Sequence, residues 1–281
     1  MSDAAFSHIT PTIGTEITGL DLTQADAATM ARMRALLNER MVLVFRDQQL
    51  SQAQHKALGA HFGTGVLHRH PLAIQGGNTD PEVLPVKADA NSKYVAGEDW
   101  HTDVSCDPAP IAVSMLYMRK TPENGGGDTM FSSMYDALET LSPPIRALVE
   151  TLSARHNGAR PWRDTYGIEP PKDQPYNVSV HPCVLTHPET GRPLLWVNGG
   201  FTDRILGLSQ HEGGAILRML LSHIERGVKF QCRVKWRPGT LVMWDNIATQ
   251  HTASWDYFPQ SRHAERVSVI GADLTAQSKA A

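Results

Sequence analysis

The stretch that most constrains the fold is Trp100-His101-Thr102-Asp103. His101 and Asp103 stand two residues apart, and in an extended segment residues i and i+2 project from the same face. An imidazole and a carboxylate would then converge while Thr102 points away. Two ligands do not make a metal site, and a lone His in a strand is more often hydrogen-bonded than metal-bound. A third ligand must come from far along the chain, and His251, in Trp244-Asp245-Asn246-Ile247-Ala248-Thr249-Gln250-His251, is the candidate. Two His and one carboxylate with open positions opposite is the facial arrangement of non-haem Fe(II) oxygenases. The fold must therefore bring two distant segments together.

The pattern along the chain says how. Residues 11–23 alternate apolar and polar residues between glycines and read as a short hairpin. Asp26 to Glu39 places Met30, Met33, Leu36 and Leu37 at helical spacing. Met41–Phe45 reads as a buried strand. Ser51 with Gln54 forms a capping-box pattern that opens a helix running to Phe62. From Gly65 to Gly97 turn signals dominate, so a long loop is expected there, carrying His68 and His70. A buried strand follows at Ile111–Met118. Asn124-Gly125-Gly126-Gly127-Asp128 lacks the Lys-Ser/Thr of a phosphate loop and reads as a tight turn into Thr129-Met130-Phe131. Met134 to Leu152 reads as helix broken at Pro143-Pro144. Residues 155–180 read as irregular, a second candidate lid beside 66–97. Strands are expected around Val184, 194–197, 230–234 and 241–244, and a helix near 209–224. Many short strands with a few peripheral helices favour one mainly β domain over 1–281, a double-sheet jelly roll.

Composition excludes several partners. The formal net charge is -3 and no Lys/Arg block suggests nucleic acid or an acidic membrane surface. No apolar run approaches the roughly 18 residues of a membrane span. The N-terminus lacks a basic segment followed by an apolar core, so no secretory signal is read there. Cys106, Cys183 and Cys232 have no zinc spacing, and so sparse a set fits a reducing cytoplasm. Cys106 lies close enough to Asp103 to line the site, though a small buried thiol explains it as well.

Downstream of His251 lie Arg262 and Arg266, four residues apart and so on one face of a strand. A Pro-containing turn separates them from His251, which allows that strand to run antiparallel to the His251 strand. Guanidinium forks bind carboxylates and sulfonates in bidentate fashion. Two arginines facing a metal suggest two anionic ligands; either alone would read as an exposed strand residue.

Trp-His-Thr-Asp, Gly-Gly-Asp-Thr, Trp-Asp-Asn-x-x-x-x-His-x-Ala-x-x-Asp-Tyr and Arg-x-x-x-Arg, in this order, resemble the taurine / 2,4-dichlorophenoxyacetate dioxygenase family. The likeness extends to Ile13-Gly14-x-Glu16-Ile17-x-Gly19-x-Asp21-Leu22, Phe45-Arg46-Asp47-Gln48, Thr186-His187-Pro188 and Val197-Asn198-x-Gly200-Phe201. It implies a double-stranded β-helix (cupin-like) and Fe(II) held by His101, Asp103 and His251. It implies 2-oxoglutarate as co-substrate, its distal carboxylate met by Arg262 and Thr129, and O2 as oxidant. It implies Arg266 and His70 at the substrate anion, with Phe201 also lining the substrate. Asp103 supplies a carboxylate ligand, so hydroxylation rather than halogenation is expected. A cytoplasmic homo-oligomer is expected.

The chain departs from the taurine enzyme of that family at two positions. That enzyme has Tyr where this chain has Ala73, and Asn where it has Gly97. Losing a phenol and an amide removes polar partners for a small polar substrate and opens space. A bulkier anion is therefore expected, an aryloxyalkanoate, alkyl sulfate or organosulfonate, with collapse of the hydroxylated product and C–O or C–S cleavage. The run Val95–Trp100 tilts slightly towards the aryloxyalkanoate branch. The alternatives are a taurine dioxygenase proper, a zinc hydrolase, and a jelly-roll protein that binds an acid without turnover.

Overall fold

The computed structural model describes residues 4–70, 80–95, 97–165, 167, 169–170, 176–275 and 277. Its strands, in chain order, are β1 (Ala5–His8), β2 (Thr15–Thr18), β3 (Val42–Phe45), β4 (Leu84–Ala88), β5 (Ile111–Lys120), β6 (Thr129–Ser133) and β7 (Ser153–Asn157). Then follow β8 (Val178–Pro182), β9 (Val184–Thr186), β10 (Pro193–Leu195), β11 (Thr202–Ile205), β12 (Gln231–Val234), β13 (Leu241–Asp245), β14 (Thr249–Ala253) and β15 (Arg262–Ile270). The main sheet has the order β1-β2-β3-β13-β5-β15-β4; a second has β12-β6-β14, a third β11-β7-β8, and β9 pairs with β10. The β2–β3 pair is parallel and the other pairs are antiparallel.

Period-two alternation assigns the two faces of the main sheet. Leu43, Phe45, Val113, Met115, Leu241, Met243, Val267 and Val269 pack with Met30, Met33 and Leu37 of the helix Ala27–Arg40. The other face presents Val42, Val44, Leu116, Met118, Val242 and Ala264, which pack with Phe131, Cys232 and Val234 of the β12-β6-β14 sheet. The functional residues of β15, Arg262 and Arg266, have the same parity as Ala264 and so share its face. The result is a mainly β protein with a helical layer on one side and a second sheet on the other.

Local signals explain the element ends. Asp26 caps the helix Ala27–Arg40 by accepting the Thr29 N–H at 2.8 Å. Ser51 and Gln54 form the expected capping box, but the α-helix ends at Leu58 and one 3-10 turn, Gly59–His61, completes the expected span. Pro143 and Pro144 open a new helix, Pro143–Val149, where a missing N–H costs nothing. Three expectations need correction. The first hairpin begins at Ala5, upstream of residues 11–23. The loop expected over 65–97 contains β4, whose Pro85 is tolerated because β4 is an edge strand. The irregular stretch expected over 155–180 begins inside β7 and ends inside β8. No helix among the described residues is long and apolar enough to cross a membrane.

Candidate metal centre and anion pocket

The main chain brings the two histidines together. His101 and His251 form an isolated antiparallel bridge, with the His101 N–H donating to the His251 carbonyl at 3.1 Å and the His251 N–H returning a bond of 2.9 Å. Thr102 points away, as its place in the pattern predicts, and its hydroxyl donates to the Thr249 carbonyl. The extended run is shorter than expected, since Asp103 already opens a turn and Val104 adopts a φ of 54°. What holds Asp103 is the fully buried Asn246. Its Oδ1 accepts the Asp103 N–H at 3.0 Å, and its Nδ2 donates to the Asp103 carbonyl at 3.0 Å and the Ile111 carbonyl at 2.9 Å. The turn that leads to His251 therefore also positions Asp103.

His101, Asp103 and His251 each offer one ligand atom, and these lie within 4.8 Å of one another. His101 Nε2 is 3.7 Å from Asp103 Oδ1, and His251 Nε2 is 4.0 Å from Asp103 Oδ2. His101 Nδ1 donates to the Asp99 carbonyl at 2.7 Å, which leaves the Nε2 lone pair for a metal. Burial, with the His101 charge beside it, holds the His251 imidazole well below the usual histidine range, in its neutral, ligating form. Burial acts to raise the Asp103 carboxyl, but Arg266 and the two imidazoles outweigh it and keep the group ionised, well below the usual carboxylate range. The Asp103 carboxylate also accepts hydrogen bonds from Arg266 Nη1 at 2.7 Å and Ser114 Oγ at 3.2 Å, and Ser114 continues to Ser268 at 3.0 Å. No further His, Cys, Asp or Glu among the described residues joins this group. Two imidazoles and one carboxylate, with no fourth protein ligand among the described residues, fit a catalytic divalent metal.

A second cation lies apart from this trio. Arg262 is 4% exposed and its Nε is buried without a hydrogen-bond partner among the described residues. No carboxylate among the described residues pairs with it, and burial lowers its pKa. The Trp236 ring lies 5.5 Å from its Cζ. Gly127, at a φ of +83°, gives the side chain its room, because a Cβ there would sit 3.0 Å from Arg262 Cδ. Thr129 is 5% exposed, and its hydroxyl accepts the Trp236 indole N–H at 3.0 Å. A buried guanidinium with an orphaned N–H suits a carboxylate that arrives from outside.

Arg266, beside Asp103, acts on both His68 and His70. Burial first and Arg266 second hold His70 down to about 3, so it is neutral; the same two causes lower His68. The His68 and His70 rings stand 5.8 Å apart, so the two imidazoles lie side by side. Ala73 lies outside the described residues. Gly97 has a φ of +91°, and a Cβ there would lie 3.0 Å from His101 Cε1 and 3.6 Å from Nε2. Residue 97 thus borders the ligating edge of His101. Phe201 is half-buried in a segment pressed on His101, since a Cβ on Gly200 would fall 2.9 Å from His101 Cβ. Cys106 is buried beside Asp107, 3.7 Å away, and is not part of the ligand group.

Contrary to the sequence expectation, the strand that carries the two arginines is not paired with the His251 strand. β15 pairs with β5 and β4, and the His251 strand β14 pairs with β6, so the arginines and His251 belong to different sheets. Sequence reasoning also left Asn246, Ser114 and Trp236 without roles. Asn246 was visible as part of Trp-Asp-Asn, but its partners are remote in sequence.

Comparison with known proteins places this arrangement in context. The family described as "Taurine catabolism dioxygenase TauD, TfdA family" matches residues 5–268. An alpha-ketoglutarate-dependent dioxygenase, cnsM, of Penicillium expansum is 33% identical, the match covering 94% of this chain and 77% of that protein. An alkylsulfatase of Acinetobacter baylyi is 31% identical over 94% of this chain and 84% of its own length. The crystal structure of a taurine dioxygenase from Burkholderia xenovorans superposes with a TM-score of 0.81 at 33% identity, covering 96% of this chain and 90% of that one.

Proposed function

The chain belongs to the taurine catabolism dioxygenase TauD, TfdA family, and from that premise we propose a division of labour among the residues of its site. The protein is a 2-oxoglutarate-dependent non-haem iron dioxygenase that uses Fe(II), 2-oxoglutarate and O2 and acts on a small anionic organic substrate. His101, Asp103 and His251 hold the iron. Arg262 and Thr129 receive the distal carboxylate of 2-oxoglutarate. Arg266 and neutral His70 receive the substrate anion, with Phe201 beside them. We read the main sheet and the β12-β6-β14 sheet as the two walls of a double-stranded β-helix, in a single domain of a cytoplasmic homo-oligomer.

The bound iron supplies the coupling of 2-oxoglutarate oxidation, to succinate and carbon dioxide, with transfer of one oxygen atom to a substrate C–H bond. The chain's own residues supply position. Arg262 neutralises one carboxylate in a buried site. Arg266 fixes the other anion next to Asp103, so that the carbon beside the anionic group lies near the metal position. His70 is uncharged and can donate a hydrogen bond to that anion without needing to be protonated.

The observation that carries this reading is the 2.7 Å contact between Arg266 and Asp103. It puts an anion-binding cation within hydrogen-bond reach of a proposed metal ligand. An anion seated there brings its adjacent carbon to the reactive position. The relatives' names, alkylsulfatase and taurine dioxygenase, favour a sulfur oxyanion over an aryloxyalkanoate. We propose an alkyl sulfate ester or an organosulfonate bulkier than taurine. Hydroxylation of the carbon bearing the sulfate oxygen or the sulfonate sulfur gives a product that collapses to an aldehyde and releases sulfate or sulfite. Succinate release measured across a panel of alkyl sulfates, sulfonates and aryloxyalkanoates tests it, and succinate formed only with aryloxyalkanoates would end the sulfur assignment. Anaerobic Fe(II) with 2-oxoglutarate should give a weak visible charge-transfer band that Zn(II) does not give.

A further inference from the structure

We infer that Trp236 is a positioning residue for the 2-oxoglutarate carboxylate, fixing the Thr129 hydroxyl through its indole N–H and supporting the Arg262 guanidinium with its ring. The inference deepens the roles proposed for Thr129 and Arg262 and rests on them. Trp236 follows β12 in the connection to β13 and is 5% exposed. An indole nitrogen carries a proton and no accepting lone pair. The 3.0 Å contact between Trp236 Nε1 and Thr129 Oγ1 therefore runs in one direction, with the indole donating and the hydroxyl accepting. A hydroxyl that accepts from one side has its own proton free to donate elsewhere. Trp236 thus sets Thr129 as a donor, the polarity a carboxylate requires.

The same side chain meets the second carboxylate partner. Arg262 Cζ stands 5.5 Å from the centre of the Trp236 ring, within cation–π range. Gly127 also borders the side chain: a Cβ there would be 3.2 Å from Arg262 Nε. Arg262 thus has an aromatic ring and a residue without a side chain as close neighbours, and its Nε has no hydrogen-bond partner among the described residues. One buried indole therefore organises both groups that face the incoming carboxylate, although they come from different strands, β6 and β15.

The test uses anaerobic protein loaded with Mn(II), so that binding is read without turnover. The probes are 2-oxoglutarate and pyruvate, which keeps the 2-oxo acid but lacks the distal carboxylate. Trp236→Phe keeps the ring and loses the donor. It should raise the Kd of 2-oxoglutarate about fivefold, the equivalent of one neutral hydrogen bond, and leave pyruvate unchanged. Trp236→Leu also removes the ring face and should weaken 2-oxoglutarate by about a further threefold. In a Thr129→Val background, Trp236→Phe should add little, since the bond is already gone. Equal weakening of both probes, full additivity with Thr129→Val, or no change would each overturn the inference. If Trp236→Phe does not fold, Thr129→Val in protein with 15N-labelled indoles and Zn(II) carries the test. It should shift one indole N–H resonance and weaken 2-oxoglutarate but not pyruvate; unmoved resonances would overturn the inference. Failure of the wild-type protein to bind 2-oxoglutarate at all would instead remove the reading of Thr129 and Arg262 beneath it.

Discussion

Arg266 Nη1 and Asp103 Oδ1 lie 2.7 Å apart, joining a proposed substrate-binding cation to a proposed metal ligand across 163 positions of chain. The two roles are therefore coupled. Arg266→Ala should raise the KM for the anionic substrate tenfold or more, since a lost charge-assisted pair is worth about 1.5–3 kcal/mol. It should also weaken metal binding, because Asp103 loses the cation that orients it. Arg262→Ala should raise the 2-oxoglutarate requirement and leave metal affinity alone. Steady-state kinetics and metal titration on both variants check this; interchangeable profiles would contradict the assignment.

The three ligand substitutions should not be equivalent. His101→Ala, Asp103→Ala and His251→Ala should each abolish succinate formation. Asp103→Ala also leaves Arg266, 13% exposed in its side chain, without its anion. That variant should be destabilised by about 2–3 kcal/mol, more than His101→Ala, after allowing for partial exposure. Urea unfolding of the metal-free variants distinguishes them.

Asn246 makes three side-chain hydrogen bonds at zero exposure, two of them to the backbone of Asp103. Asn246→Ala should lower stability by about 2–3 kcal/mol and weaken metal binding as well. Asn246→Asp keeps the acceptor for the Asp103 N–H but cannot donate to the Asp103 and Ile111 carbonyls, so it should not restore metal affinity. A melting curve with and without Mn(II) reads both effects. Normal metal affinity in Asn246→Ala would show that the clasp does not position the site.

Stability should fall in acid through histidines that the site does not use. Burial lowers His55 to about 4, and burial together with the His181 charge lowers His156 to about 3. Below pH about 6.5 the unfolded chain takes up protons that these buried rings refuse. Stability is thus fully present above pH 6.5 and is lost towards pH 4 for His55, continuing towards pH 3 for His156. The slope should be about 1.4 kcal/mol per pH unit for each histidine. His55→Leu should flatten the decline of the urea midpoint between pH 7 and 5; an unchanged slope would exclude His55 as a source.

Taurine should be a poor substrate beside bulkier sulfur anions. Gly97 refines that expectation, because a side chain there would meet His101 before it met substrate. Gly97→Asn should therefore depress turnover of every substrate and should not rescue taurine. Rescue of taurine by Gly97→Asn would contradict this steric reading of Gly97, and a wild-type kcat/KM for taurine above all bulkier anions would refute the bulky-anion proposal.

Much of this was legible from local patterns. His101, Asp103 and His251 could be picked out because their side-chain chemistry is rare in such an arrangement. Ser51 with Gln54 declared a helix start because a capping box is complete within four residues. β4 was missed because Pro85 masks a strand unless its edge position is known. The ends of 155–180 were misread because buried His156 and His181 interrupt the apolar alternation of β7 and β8. The roles of Asn246, Ser114 and Trp236 depend on partners far along the chain, and the partner sheet of β15 depends on strand order, which no local pattern encodes.

That strand order has a consequence for biosynthesis. In the main sheet β15 lies between β5 and β4, and among the described residues β4 has no other neighbour. β4 and β5 leave the ribosome long before β15 exists, so the gap between them stays open until translation reaches the last strand. β15 also carries Arg262 and Arg266. A nascent chain can present all three proposed iron ligands before it holds either arginine. Iron captured at that stage would lack both cations proposed to receive the two acids.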